Sequence, residues 1–294
     1  MQFIKLDFSN AIASIKLQHA GGNRINFQMR EEIFNAVESV AKSDARVLVI
    51  KGDGEDFCLG GDVRDWPDVP VDKLRPRVEV FANALDRLEQ LDIPTIASVQ
   101  GGCAGGGFEL ALACDMIIAS RSARFSFPEA LIGIMTLQGG VYNIAERIGR
   151  TKAIELAFLS DPAPAEQLAQ WNVVNRIVEG PDNGDGRLGS KARDRPGNGL
   201  RGHKRAASNL AKRRRSRGSQ GALRHFNAVV PDRRHTAGAA QRGSGGQCRP
   251  AISSRDLQRR SEGPFLDVTV AQSEAEIEPN GLLDDDPRKA VAAL

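Results

Sequence analysis

The stretch S98-V-Q-G-G-C-A-G-G-G-F-E-L-A-L-A-C-D115 decides how this chain is to be read. It begins as the end of an apolar run, T95-I-A-S-V99, that reads as a buried strand, and it finishes in F108-E-L-A-L-A113, an apolar helical start. Between them lie five glycines, with one carboxylate, Glu109, just beyond. Glycines at such a corner let the chain turn sharply and let a ligand approach bare backbone. The first amides of a helix have no intrahelical acceptor, and the helix dipole adds partial positive charge there. The corner is therefore suited to an oxyanion or a phosphate. Glu109 falls in the first helical turn, where it either offsets the dipole or is held at the corner for chemistry. Spacing alone leaves both readings open.

Working outward, the first 180 residues have the pattern of layered α/β protein. Residues 3–8 and 11–17 alternate as strands of a hairpin. Residues 27–42 place Met29, Ile33, Ala36, Val37 and Val40 on one helical face. Residues 47–52 are a short apolar run for a strand covered on both sides. A helix is predicted over 78–91, halted before Pro94, and further strands over 95–101, 116–120 and 173–179. Short helices are predicted in L137-Q-G-G-V-Y-N-I-A-E-R-I-G149, T151–L159 and P164–W171.

Charge divides the chain. Residues 1–180 carry 18 Lys and Arg against 24 Asp and Glu; residues 181–262 carry 20 against 6; residues 263–294 carry 2 against 7. Ten of the twelve Phe, both Trp and the single Tyr precede residue 181. Beyond Gly180 no apolar face or period of two persists, and such text cannot offset its ordering entropy by burial, so 181–294 is expected to be a low-order tail, basic and then acidic. The run H203–G218 could serve as a nucleic-acid arm, but it lacks interleaved aromatics for base stacking. The four cysteines have no metal-ligand spacing and no signal peptide precedes them, so free thiols in a reducing cytoplasm are expected. No apolar run is long enough for a bilayer.

Two further motifs complete the reading. G52-D-G-E-D-F-C-L-G-G-D-V63 is a second strand-to-glycine corner, and F125-S-F-P-E-A130 places Glu129 after a proline. Two glycine corners, two glutamates and the linking strands, in this order over residues 1–180, resemble the crotonase superfamily, the enoyl-CoA hydratase/isomerase family. The resemblance implies a ββα spiral fold and hydration of 2-enoyl-CoA to 3-hydroxyacyl-CoA, with double-bond isomerisation as the near alternative. A non-catalytic CoA-binding core, or a damaged product, is the alternative of another class. It implies oxyanion-hole amides at Gly61 and Gly106, and a water held between Glu109 and Glu129. It places the CoA along residues 22–26 and the first corner, at Arg24, Cys58, Gly60 and Asp62. Cys58 and Cys103 read as small packing residues, Asp62 and Asp115 as acceptors of structural hydrogen bonds, and Trp171 as core. No metal and no cofactor beyond the CoA of the substrate is implied, and the partner is a second copy of the chain in a trimer or hexamer.

The chain departs from the family in two places. The proline-glycine turn common before the helix after Glu129 is replaced by G133-I-M-T-L-Q-G-G140. The family's last amphipathic helices, which cover the acyl site and support trimers, have no counterpart in residues 181–262. Arg- and Gly-rich text directly after an intact pattern suggests a reading-frame shift near residues 180–190.

Overall fold

The structure, a computed structural model, describes residues 1–64 and 66–179, with Ser190, Lys191, Arg193, Asp194 and Lys204. The expectations for the tail, the nucleic-acid arm included, lie outside the described residues apart from those five. Of these, Lys204 donates to the Ile93 carbonyl and meets Asp115, each at 2.8 Å.

Among the described residues nine strands form two sheets. The larger has six strands in the order β1 (Ile4–Ser9), β2 (Ile12–Leu17), β3 (Val47–Gly52), β4 (Thr95–Val99), β6 (Met116–Ser120) and β9 (Arg176–Val178). Only β1 and β2 pair antiparallel, as their hairpin connection requires; the other neighbours are parallel. The central strands read as uninterrupted apolar runs because both of their faces are covered.

The smaller sheet, β5 (Gly102–Ala104), β7 (Arg124–Ser126) and β8 (Ala163–Pro164), differs from the sequence reading, which took residues 101–107 as a glycine corner alone. β4 and β6 run on into this second layer as β5 and β7. Isolated parallel bridges Ile25–Gly61 and Cys58–Cys103 extend the ladder beyond β5 and β7. Strand, short second-layer strand and helix therefore repeat along the chain, which is the ββα spiral.

Helices packed on the sheets are α1 (Phe27–Ala41), α2 (Val71–Glu89), α3 (Gly106–Ala113), α4 (Gly140–Ile148), α5 (Arg150–Leu159) and α6 (Ala165–Gln170). Asn26 caps α1, its side-chain oxygen accepting from the Met29 N–H at 2.8 Å. Helix α2 begins two turns before the predicted start and carries Pro76 inside it. Leu74 and Val78, both buried, tie that added segment to the core. Among the described residues no helix is long and apolar enough to cross a membrane.

Polar clamps fix the two corners to each other. Asn23, in a left-handed backbone conformation, donates its side-chain amide to the carbonyls of Asp53, Asp56 and Phe57. Asp56 in turn accepts from the Gly102 N–H at 2.7 Å. Phe108 packs against Phe125 and Phe127, with ring centroids 5.1 and 4.8 Å away, so the floor beneath Glu109 is rigid.

Candidate active site

Glu109 lies in the first turn of α3 and is 1% exposed. Its Oε1 accepts two backbone N–H groups, from Gln138 and Gly140, each at 2.9 Å. Gly140 is the first residue of α4, so the carboxylate sits on a helix N-terminus. Burial pushes its pKa up to about 7, against the pull of those two N–H groups and of the Arg30 charge. The carboxyl is thus oriented and poised near neutrality.

Glu129 stands at the start of a 3-10 turn, Pro128–Ile132, directly after β7. A Cβ built on Gly105 would lie 2.9 Å from its Oε1, so the carboxyl rests on the second glycine corner. Its Oε2 is buried with no hydrogen-bond partner. Burial, and then the neighbouring Glu109 charge, raises its pKa to about 8. Glu129 thus senses the Glu109 charge.

The two corners also converge. A Cβ on Gly106 would fall 3.5 Å from the Gly61 nitrogen, and one on Gly60 would fall 3.4 Å from the Gly106 nitrogen. The ladder between residues 22–26 and the first corner uses the Ile25 N–H with the Gly60 carbonyl and the Asp62 N–H with the Ile25 carbonyl, passing over the Gly61 N–H. Neither the Gly61 nor the Gly106 N–H has an acceptor among the described residues. The two free donors therefore lie together where the corners meet, beside the Glu129 carboxyl.

The expected CoA-binding residues fare differently. Arg24 is half-buried and its Nη1 reaches the Leu59 carbonyl at 3.4 Å, leaving most of the guanidinium available. Gly60 has φ +94, and a Cβ there would lie 2.9 Å from the Ala104 carbonyl, so its role is to let the corners touch. Cys58 requires correction as a ligand contact. It is wholly buried, its Sγ donates to the Asn23 carbonyl at 3.1 Å, and its backbone bonds Gly102 and Ala104. Burial drives its thiol up to about 12, so it is a packing residue, as the paired reading had it. Asp62 is likewise committed elsewhere, accepting the Arg64 Nε at 2.9 Å and Nη2 at 2.6 Å, which holds its pKa down. Asp115 accepts from the Thr95 N–H and hydroxyl, as a structural acceptor should. Trp171 is half-buried against the core beneath Lys152.

Sequence reasoning missed Arg30, Trp66 and the amides that hold Glu109. Arg30 lies on the buried face of α1, between Met29 and Ile33, and is 3% exposed. Its guanidinium carbon stands 5.3 Å from the Phe27 ring centroid and 5.5 Å from that of Trp66. The signal was present: a charge in the phase of an apolar stripe. The Gln138 and Gly140 N–H groups are backbone, and no residue letter announces them.

Comparison with known proteins fits this geometry. A sequence model described as enoyl-CoA hydratase/isomerase matches residues 7–187. A mevalonyl-coenzyme A hydratase of Aspergillus fumigatus is 37% identical over 135 residues, 45% of this chain and 49% of that protein. A 1,2-epoxyphenylacetyl-CoA isomerase of Escherichia coli is 32% identical over 185 residues, 61% of this chain and 71% of that one. The chain thus spans about half the length of the first of these relatives. A crystal structure of enoyl-CoA hydratase from Bacillus anthracis superposes with a TM-score of 0.69 at 26% identity, covering 81% of this chain and 94% of that one.

Proposed function

The chain belongs to the enoyl-CoA hydratase/isomerase family, and on that premise we propose that it adds water across the double bond of 2-enoyl-CoA thioesters to give 3-hydroxyacyl-CoA. The observation that carries this is the pair of buried carboxyls, Glu109 and Glu129, with pKa values raised to about 7 and about 8 beside two unpaired backbone N–H groups. In this scheme the thioester carbonyl accepts from Gly61 and Gly106 N–H. As water attacks the β-carbon, the π electrons move to the carbonyl oxygen, where these donors stabilise the enolate. One such donor is worth about 3–4 kcal/mol of barrier. Glu109, the lower in pKa and oriented by two N–H groups, takes the proton from water. Glu129, the higher, delivers its own proton to the α-carbon. The proton on Glu109 then passes to Glu129, directly or by exchange through solvent, and the cycle consumes only water and substrate.

Double-bond isomerisation is the second reading, since a relative from Mycosarcoma maydis, 32% identical over 136 residues, is named an enoyl-CoA isomerase/hydratase. It needs one base that lifts and returns a proton, and the second buried carboxyl would have no part in it. Self-association belongs to the same proposal. Helix α5 packs on the Pro128–Ile132 turn, and Leu131, Phe158 and Leu159 on these two elements are 55%, 74% and 58% exposed. Such an apolar patch beside the site suits a second copy of the chain. The free buried thiols Cys58, Cys103 and Cys114 support a reducing compartment, the cytoplasm.

The test is loss of enoyl-thioester absorbance from crotonyl-CoA with the full chain and its Glu109→Gln and Glu129→Gln variants. Turnover by the wild type and its loss in both variants is expected. A Glu129→Gln chain that hydrates normally, or conversion of a 3-enoyl-CoA without hydration of crotonyl-CoA, overturns the hydratase reading.

A further inference from the structure

Arg30 carries a charge that the proposed chemistry leaves unused. Its Nε and Nη1 are sealed from water and have no hydrogen-bond partner. The indole Nε1 of Trp66, whose ring lies 5.5 Å from the guanidinium carbon, is also buried and unpartnered. Arg30 Nη2 comes within 3.5 Å of where a Cβ on Gly61 would stand, so the cluster borders the proposed oxyanion corner. The nearby carboxylates do not satisfy it. Asp62 is held in a two-point pair by Arg64, and Glu109 Oε1 is taken by two backbone N–H groups. Burial brings the Arg30 pKa down to about 10, which leaves the guanidinium charged at neutral pH. Burying such a donor set without acceptors is costly, and native interiors supply acceptors from the chain, from bound water or from a ligand.

We propose that Arg30 and Trp66 form a subsite for a carboxylate borne on the acyl group, so that the preferred substrates are thioesters of dicarboxylic acids. A carboxylate has the lone pairs to accept from the guanidinium and the indole N–H together, and its charge neutralises the buried cation. Lysine would not serve equally, because the planar fork fits between the Phe27 and Trp66 rings. Glu129 keeps its proton in the working state and Asp62 is neutralised by Arg64, while the ionised Glu109 shares the Arg30 field with the incoming carboxylate. The inference rests on the thioester being bound at Gly61 and Gly106.

The experiment compares two saturated, unreactive thioesters, glutaryl-CoA and pentanoyl-CoA, by calorimetric titration of the full chain. They differ only in a terminal carboxylate against a methyl group. Glutaryl-CoA is expected to bind about 30-fold more tightly or better, and Arg30→Met to remove that preference. Arg30→Lys is expected to restore only part of it. The wild-type comparison stands even if the variants do not fold. Equal affinities, or tighter binding of pentanoyl-CoA, overturn this inference while leaving the site intact. Binding of neither thioester overturns it together with the acyl-CoA reading. Preference for glutaryl-CoA without turnover of glutaconyl-CoA upholds the subsite and refutes the hydratase chemistry.

Discussion

Replacing Gly140 by alanine tests how Glu109 is held. The backbone there is not in a left-handed conformation, so the effect is purely one of contact. The added Cβ would lie 2.7 Å from Phe127 Cε1, 2.9 Å from Glu109 Cγ and 3.0 Å from its Oε1. Phe127 is stacked on Phe108 at 4.8 Å and has little room to move. Glu109 must therefore swing, and its bonds from the Gln138 and Gly140 N–H groups stretch or break. A hydrogen bond to a charged group is worth about 1.5–3 kcal/mol. Losing one raises the Glu109 pKa by about one to two units, at 1.36 kcal/mol per unit. The pH profile of crotonyl-CoA hydration should rise with ionisation of Glu109, near 7, and fall with ionisation of Glu129, near 8. The two limbs belong to the coupled pair.

In Gly140→Ala the rising limb should move up until it meets the falling limb near pH 8, narrowing the profile, and kcat should fall about 100-fold because the base is misplaced. Overpacking should cost about 1–3 kcal/mol of stability, which a denaturant titration run alongside would show. A folded variant with the rising limb in its original place and kcat unchanged would falsify the assignment of Glu109 as the anchored base. A fall in kcat with an unmoved limb would trace the damage to the corner instead.

Two other outcomes follow from the same geometry. Because the folded-state pKa values of Glu109 and Glu129 lie above 4.5, the native chain keeps protons that the unfolded chain has released, so this contribution to stability is complete below pH 4.5 and is lost as pH rises through about 8. Urea midpoints measured at pH 5 and pH 9 should therefore drop more for the wild type than for the Glu109→Gln/Glu129→Gln double variant; equal drops refute the raised pKa values. Gly107→Ala should fail to fold or lose several kcal/mol, since its Cβ would stand 2.3 Å from the Cys58 carbonyl oxygen and 2.8 Å from Sγ. Gly21→Ala meets nothing within 4 Å and pays only for φ +80, about 1 kcal/mol, so thermal melts of the two should separate widely.

The main sheet and α1 were legible because burial on two faces, or on one stripe, writes its period into the sequence. Strand β5 was not. It is three residues long and opens with glycine, and its partner is Arg124–Ser126, twenty residues on, so local pattern contains no trace of the pairing. The start of α2 was hidden by Pro76, whose local preference is overridden by burial of Leu74 and Val78. Glu109 and Glu129 were found through motif order. Cys58 was placed beside the ligand because it adjoins the first corner in sequence, whereas the Cys58–Cys103 bridge turns it into the interior.

The glycines around residues 98–115 serve the charge in a way that loop flexibility alone does not explain. A carboxyl of raised pKa must be excluded from water, yet it must touch backbone N–H groups that fix its orientation. A Cβ on the residue supplying the contact obstructs that approach. Gly105 gives way to Glu129 Oε1, Gly140 gives way to Glu109 Cγ and Oε1, and Gly60 lets the two corners meet at the Ala104 carbonyl. Gly140 is thus the local cost of bringing backbone within hydrogen-bonding distance of an acid in a dry interior, while Gly105 and Gly60 make room for Glu129 and for the facing corner. It follows that alanine at Gly140, which faces Glu109 and has no left-handed backbone, should act on pKa and orientation before it acts on the fold. Gly107, which faces Cys58 and not a carboxyl, should show the opposite order.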